Sequence, residues 1–263
     1  HELQCWGSNS KGQLAKNPVG QLTAPDPNRF VQLNPPGPGL FNAGNKAVCG
    51  VIDGGVGSCW GQNLTGELGI GSLESTQSPS NISNDGGGRW SRIALGPEHA
   101  CGIDTSLALH CWGNKQNGRV GQPVYEPFAL PNPTRINSGP WIDFDVGAKH
   151  SCGIVEYGGG YRYLQCMGNN EFGQLGRVTE DFNSNAYPLN VDGGFADWRS
   201  VATGANHTCA IRADDSLWCF GDNSQGQLGV GYQGGQEQTP QQVGRDNSWR
   251  TVFAGVMHTC AIS

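Results

Sequence analysis

A short sequence that begins with cysteine recurs five times along the chain, and this repeat constrains the fold more than any other feature. The copies begin at Cys5, Cys59, Cys111, Cys166 and Cys219, and the intervals between them are 54, 52, 55 and 53 residues. Each cysteine is followed by Trp, Met or Phe and then by Gly. A period of this length is typical of solenoids, propellers and other arrays whose repeats pack on their neighbours.

A second repeated sequence precedes four of these copies and runs from a tryptophan to a His-x-Cys triplet. Its copies are Trp90–Cys101, Trp141–Cys152, Trp198–Cys209 and Trp249–Cys260, and a degenerate copy that ends at Cys49 lacks both Trp and His. Apolar and polar residues alternate in these stretches, which predicts half-buried strands. No stretch has a long helical period free of Gly and Pro, so we expect an all-β fold.

The ten cysteines occur as two per repeat, and eight of them form local pairs. These pairs are Cys49–Cys59, Cys101–Cys111, Cys152–Cys166 and Cys209–Cys219. The midpoints of the pairs are Gly54, Ser106, Gly159 and Asp214, all of residue types favoured in turns. Opposite residues of an antiparallel hairpin are close enough for a disulfide, so each pair is predicted to link one hairpin. Disulfides indicate an oxidising compartment, so we expect a secreted or cell-surface protein.

Cys5 and Cys260 remain, and each lacks a partner in its own hairpin. Cys260 ends a first-type sequence and Cys5 begins a second-type sequence, so the two chain ends supply complementary halves of one unit. This predicts a closed ring that a Cys5–Cys260 disulfide locks, which also removes exposed sheet edges. Residues 1–263 would then be a single domain of five repeats of about 51–57 residues, and residues 1–7 and 249–263 would share the last unit. A zinc array is the alternative, but no pair has the C-x-x-C spacing, so no metal is expected.

The two sequences together, Gly-x-x-His-x-Cys and Cys-Trp-Gly-x-Asn-x-x-Gly-Gln-Leu-Gly, resemble the repeat of the regulator of chromosome condensation family. The resemblance covers nearly the whole chain and implies a β-propeller with about one four-stranded blade per repeat. With the ring, it predicts a five-bladed propeller closed by pairing of the N- and C-terminal strands. The cysteine pairs are also similar to the extracellular repeats of plant crinkly-type receptor kinases.

Charge and hydropathy exclude some partners. The net charge is −6 and the pI is about 5.4, whereas proteins that bind nucleic acid usually carry a basic surface. The family's nuclear activities, nucleotide exchange and nucleosome binding, are therefore not expected. No run of apolar residues is long enough to span a membrane, so no membrane insertion is expected.

Several polar residues recur in register and have two interpretations. The asparagines Asn9, Asn63, Asn170 and Asn223 are predicted to form turns, but a set of equivalent amides would also suit sugar hydroxyls. The equivalent histidines are predicted to be structural, because residues in different sheets lie too far apart to share one zinc ion. They are His99, His150, His207 and His258. Asp143 and Asp145 lie two residues apart on one strand, and only this repeat carries both carboxylates. They are predicted to be a solvated or hydrogen-bonded pair, but their spacing would also allow paired-carboxylate glycoside hydrolysis.

Function in a propeller lies in its loops, and two loops here carry apolar residues. Residues 16–41 are proline-rich and contain Phe30 and Leu40, and a second loop contains Tyr125 and Phe128. The sequence therefore predicts a non-catalytic extracellular binding or assembly module, without a cofactor, that recognises another protein through its loops. A multivalent lectin with a glycan ligand is the alternative, and a glycosidase-like enzyme is the third interpretation.

Three glycosylation sequons begin at Asn63, Asn81 and Asn206. Asn81 is the strongest candidate, because a Ser-Asn-Asp-Gly-rich stretch follows it and predicts an exposed loop.

Overall fold

The structure is a computed structural model. It describes residues 3–5, 10–14, 31–33, 40–83, 89–136, 139–179 and 185–263. These residues form β-strands and two short 3₁₀ helices, Asp53–Gly55 and Gln116–Gly118, and the described residues contain no α-helix. The expectation of an all-β fold is confirmed.

The chain divides into two compact units, and the first comprises residues 1–114 and 127–135. It contains one two-stranded and two four-stranded antiparallel sheets. The two-stranded sheet pairs β1 (Leu3–Cys5) with β2 (Val31–Leu33). The next sheet consists of β3 (Leu40–Ala43), β4 (Ala47–Ile52), β5 (Val56–Gly61) and β6 (Thr76–Asn81). The third consists of β7 (Trp90–Leu95), β8 (His99–Asp104), β9 (Leu109–Asn114) and β10 (Ala129–Arg135).

The second unit comprises residues 115–126 and 136–263 and has two four-stranded sheets and one two-stranded sheet. The first sheet contains β11 (Trp141–Val146), β12 (His150–Tyr157), β13 (Tyr161–Gly168) and β14 (Asn185–Asn190). The second contains β15 (Trp198–Thr203), β16 (His207–Arg212), β17 (Leu217–Asp222) and β18 (Gln236–Gln242). The chain ends in a hairpin of β19 (Thr251–Ala254) and β20 (Thr259–Ile262).

Every four-stranded sheet is cross-linked by a disulfide at the same position. Its second and third strands bring two cysteines directly opposite each other, with Cα atoms 4.1 Å apart in all four cases. The four disulfides join the local cysteine pairs that the sequence spacing predicts. All eight of these cysteines are buried. The disulfides therefore cross the middle of each sheet and prevent the central hairpin from slipping in register.

Tryptophans of the two repeated sequences form much of the buried core. Trp60, Trp112, Trp141 and Trp198 are among the largest fully buried side chains. Within the first unit, the rings of Trp90 and Trp112 lie 5.5 Å apart. Burial of several indole rings contributes a large part of the apolar stabilisation of such an array.

The predicted closing unit is present as two separate two-stranded sheets, β1–β2 and β19–β20. Cys260 carries an exposed free thiol, and the side chain of Cys5 lies outside the described part of the chain, so the Cys5–Cys260 disulfide stays a prediction. The partner of Cys5 in its sheet is Val31, and the partner of Cys260 is Phe253. Closure of the ring, the number of blades and the single-domain boundary stay predictions.

Acidic and amide side chains on the first strand of one sheet bind the backbone of the next sheet. Asp143 accepts a hydrogen bond from the Val201 amide at 3.0 Å, and Asp145 accepts one from the Thr203 amide at 2.8 Å. In the first unit, Asn42 at the position equivalent to Asp145 accepts from the Leu95 amide at 3.3 Å. These two carboxylates therefore join sheets, and this contact gives no support to a glycosidase role.

We expect Asp145→Ala to lower the free energy of unfolding by about 1–3 kcal/mol, because the Thr203 amide loses its acceptor. Asp145→Asn should lower the free energy of unfolding clearly less, since the side-chain amide oxygen of Asn42 accepts the equivalent backbone hydrogen bond. Chemical denaturation under oxidising conditions measures both variants. Equal losses in the two variants would contradict the bridging role.

Candidate interaction surface

The repeated histidines take part in short chains of hydrogen bonds that connect successive sheets of the second unit. Nε2 of His150 lies 2.9 Å from Oγ1 of Thr208, and that hydroxyl donates to the Gln174 carbonyl at 2.9 Å. His207, Thr259 and Gln227 repeat the arrangement, at 3.0 and 2.8 Å. Because each threonine hydroxyl donates its hydrogen to a carbonyl, the histidine must donate from Nε2. Nε2 therefore carries a hydrogen, and the charge of the ring depends on whether Nδ1 is protonated.

Burial keeps these histidines neutral. It lowers the pKa of His150 to about 3, assisted by the nearby His207 and Arg119. Burial also lowers the pKa of His207 to about 4, while Asp222 acts in the opposite direction. The Nδ1 atoms of His150 and His207 are buried without a hydrogen-bond partner. The rings of His150 and His207 thus act as structural donors, and no cluster in the described residues has three or more His, Cys, Asp or Glu side chains placed to hold a metal ion.

The recurrent asparagines lie inside their own loops. The amide nitrogen of Asn63 donates to the carbonyls of Ser72 and Glu74, and its oxygen accepts from the Leu68 backbone. Asn170 and Asn223 make the equivalent contacts, with their oxygens accepting from Leu175 and Leu228. All three side chains are fully buried. Their hydrogen-bonding groups are used within the loops, so they are not part of a sugar-binding surface. Asn9 lies outside the described residues.

The sequons differ in accessibility. Asn81 is exposed at the end of β6, whereas Asn206 is half-buried. Asn63 is fully buried, and its amide nitrogen makes two hydrogen bonds. A glycan on Asn63 would replace one of the two amide hydrogens that make these bonds, and the buried side chain leaves no room for it, so Asn81 is the most exposed of the three sequon asparagines.

The two apolar loops predicted to bind a partner are described in part. Tyr125 is 63% exposed, and the Lys115 ammonium lies 4.2 Å from the centre of its ring. Phe128 is half-buried. Leu40 begins β3, and Phe30 lies outside the described residues. Tyr125 is therefore the predicted aromatic residue that the structure places in solvent, held from one side by a cation–π contact.

A more extensive aromatic surface lies on the hairpin of β12 and β13. Its two cysteines are 14 residues apart, against 10 in the other three hairpins, so this hairpin extends further. The extension carries Tyr157, Tyr161 and Tyr163 around a glycine turn, and Tyr157 pairs directly with Tyr161. We call these three residues the tyrosine face.

The tyrosine face combines exposure with fixed geometry. Tyr157 and Tyr161 are 43% and 56% exposed, while Tyr163 is half-buried. The rings of Tyr157 and Tyr163 meet edge to face, with centres 5.7 Å apart. On the opposite face of the hairpin, Arg162 and Glu156 form an ion pair at 2.7 Å. Rigid exposed tyrosines offer a large contact area at a low entropic cost, as in protein-binding surfaces.

The sequence analysis predicted the hairpin that Cys152 and Cys166 link but missed the tyrosine face. The signal was the sequence Tyr-Gly-Gly-Gly-Tyr-Arg-Tyr, in which cross-strand pairing places the three tyrosines on one side.

The comparisons with known proteins agree with this architecture. A model of the regulator of chromosome condensation (RCC1) repeat matches residues 59–103, 166–211 and 214–262, more than half of the chain, and a second model of this repeat matches residues 198–227. The chain belongs to the RCC1 repeat family. The ultraviolet-B receptor UVR8 of Arabidopsis thaliana is 26% identical over 237 residues, which cover 88% of this chain and 51% of that protein. The chain thus spans about half the length of this relative.

Solved structures show the same fold. Human WBSCR16 superposes with a TM-score of 0.85 at 20% identity, over 97% of this chain and 66% of that one. Prp20p of Saccharomyces cerevisiae, described with its binding to Gsp1p and histones, gives 0.82 at 22% identity, over 100% and 64%. The ectodomain of the receptor kinase CR4 of Physcomitrella patens gives 0.52 at 18% identity, over 87% and 50%. The described sheets therefore have the fold of RCC1-type β-propellers.

The buried neutral histidines predict that acid destabilises the second unit. Their pKa values lie below the usual 6.5, so the unfolded chain binds protons that the folded chain excludes. The stabilisation that the neutral histidines contribute is complete above pH 6.5 and is lost as the pH falls toward 4. At pH 5 the free energy of unfolding is lower by about 2 kcal/mol per histidine.

Denaturant titrations at pH 7.5 and pH 5.0 measure this loss. The double variant His150→Gln and His207→Gln should be less stable at pH 7.5 but should change much less between the two pH values. A wild-type protein equally stable at both pH values would contradict the assignment of neutral rings.

Proposed function

We propose that this chain is a non-catalytic protein-binding module of the RCC1 repeat family that acts in an extracellular compartment. The observation that carries the proposal is the tyrosine face. Among the described four-stranded sheets, one departs from the repeat by extending its central hairpin and placing aromatic rings in solvent. The rings lie beyond the disulfide that links the hairpin, and Tyr157 and Tyr161 keep about half of their surface in solvent.

The family supports the general function. RCC1-type propellers include proteins named for binding or assembly with other proteins, such as Prp20p with Gsp1p and histones. Buried catalytic groups are not needed for such a role, and Asp143 and Asp145 are engaged in joining sheets. The partner is a protein whose surface accepts tyrosine rings, with Tyr125 as a further contact residue.

The disulfides support the extracellular compartment. Four buried disulfides form within the described residues, and thiols in this arrangement persist as disulfides in oxidising surroundings. No helix in the described part of the chain is long and apolar enough to cross a membrane. The exposed Asn81 is the proposed glycan site on the secreted protein.

Binding to a panel of extracellular protein domains tests the function. We expect the double variant Tyr157→Ala and Tyr161→Ala to weaken the binding of a specific partner by more than about tenfold, as removal of central aromatic residues does at protein interfaces. The wild type and the variant are immobilised at equal density and screened against the same panel, and their affinities for each partner are compared.

The matched control is Tyr187→Ala, because Tyr187 is 59% exposed on β14 but lies outside the tyrosine face. It should bind like the wild type. Partners that bind all three proteins equally would contradict the role of the tyrosine face. Glycan-array binding that the double variant loses would instead favour the lectin alternative.

A further inference from the structure

Two tyrosine rings touch at one place on this molecule. The chain has six tyrosines, all of them in the described part of the structure, and three lie on the hairpin of β12 and β13. The ring centres of Tyr157 and Tyr163 are 5.7 Å apart, and the ring planes meet at 61°. Among the described residues, this is the one contact between two tyrosine rings.

The register of the hairpin holds these two rings together. Tyr163 lies directly opposite Val155, so Tyr157 is its diagonal neighbour on the same face of the sheet. Diagonal cross-strand neighbours are within reach of one another when their side chains are aromatic. The Cys152–Cys166 disulfide links the same two strands and prevents them from slipping in register. The two phenol rings therefore stay close without any encounter between molecules.

Tyr157 is also open to reagents in solution. It is 43% exposed, whereas Tyr163 beside it is half-buried. Nε2 of Gln165 donates to the hydroxyl oxygen of Tyr157 at 3.4 Å. A phenol oxygen that accepts such a bond can still donate its own hydrogen, so the Tyr157 proton can leave to solvent. Exposed side chains also change rotamer within nanoseconds, which lets the two rings adjust their orientation.

The other four tyrosines have different surroundings. The ring of Tyr161 lies over the glycine turn of the same hairpin. Tyr125 lies against an ammonium group, and the hydroxyl of Tyr232 donates to a carboxylate. Tyr187 is exposed on β14. These residues serve as internal comparators for any chemistry that depends on contact between two phenols.

We propose that the tyrosine face is an oxidative modification site, at which Tyr157 and Tyr163 couple to form a dityrosine cross-link. The oxidant is a haem peroxidase with hydrogen peroxide. Each phenol loses one electron and one proton, and the two phenoxyl radicals form a carbon–carbon bond between their ortho carbons. The two ortho hydrogens then move to the oxygens and restore the phenols. The peroxide takes up the two electrons and two protons and becomes two molecules of water.

Proximity favours this pair over the other tyrosines. Coupling between two molecules requires an encounter, which is slow when the protein is at micromolar concentration. Groups held close on one chain react as if their concentration were millimolar or higher. The cross-link should therefore form within one chain before tyrosines of different molecules couple. This modification goes beyond the proposed partner binding, and its test needs no partner.

Peptide mapping after oxidation tests the proposal. The full-length protein is treated with a haem peroxidase and one equivalent of hydrogen peroxide, then reduced and digested with trypsin. Cleavage after Arg162 separates peptide 150–162 from peptide 163–177. Reduction breaks the disulfide between these peptides, but a Tyr157–Tyr163 bond keeps them joined, at the sum of their masses less two hydrogens. We expect the joined peptide to exceed any other tyrosine-linked product by at least about tenfold.

Variants that lack single hydroxyl groups identify the tyrosines that react. Tyr157→Phe should remove the joined peptide, because phenylalanine forms no phenoxyl radical. Tyr161→Phe should leave its yield unchanged, although Tyr161 lies in the same tryptic peptide. Tyr187→Phe is the matched control at a 59% exposed tyrosine and should also leave the yield unchanged. Each variant keeps its aromatic ring, and circular dichroism verifies that it is folded. A joined peptide that persists in Tyr157→Phe would overturn the proposal.

Size-exclusion chromatography before digestion shows whether the bond lies within one chain. The joined peptide should come from the monomer fraction and should form at the same rate when the protein is diluted tenfold, because its two rings need no second molecule. A joined peptide confined to oligomers, a yield that Tyr187 or Tyr125 products match, or no joined peptide in the wild type would each contradict the cross-link.

Discussion

Three of the described four-stranded sheets depend on one large side chain of the third strand being buried against a glycine of a neighbouring loop. Trp112, Met167 and Phe220 make this contact with Gly69, Gly121 and Gly176, each within its own unit. A single four-stranded sheet of this composition has two apolar faces and cannot bury both alone, so neighbouring sheets must supply the missing surface. The glycine at the contact keeps the backbone of one sheet close to the ring of the next.

Hydrogen bonds between successive sheets add direction to this apolar contact. The loop carbonyl that receives an indole N–H in the first unit receives a threonine or serine hydroxyl in the second. The hydroxyl is in turn held by a histidine that burial keeps neutral. Two chemically different solutions therefore satisfy the same buried acceptor. This satisfaction matters because an unpaired carbonyl in a closely packed interface is costly.

A feature that departs from the repeat carries the functional proposal. The tyrosine face extends beyond the disulfide of its hairpin and leaves Tyr157 and Tyr161 largely in solvent. The contact between the rings of Tyr157 and Tyr163 fixes the geometry of this surface before any partner binds.

Spacing alone determined much of this protein: the all-β fold, the hairpins and the register of their four disulfides. Paired residues in an antiparallel hairpin have a constant sum of residue numbers, so two cysteines about a turn residue define one register. Tertiary structure alone decided where the polar groups point. Asn63, Asn170 and Asn223 have amides that a sequence cannot distinguish from ligand-binding amides, and burial within the loops resolved this. Asp143 and Asp145 look like a catalytic pair along one strand, yet their partners lie 58 residues away on the next sheet. Such contacts depend on packing between sheets, which no local pattern encodes.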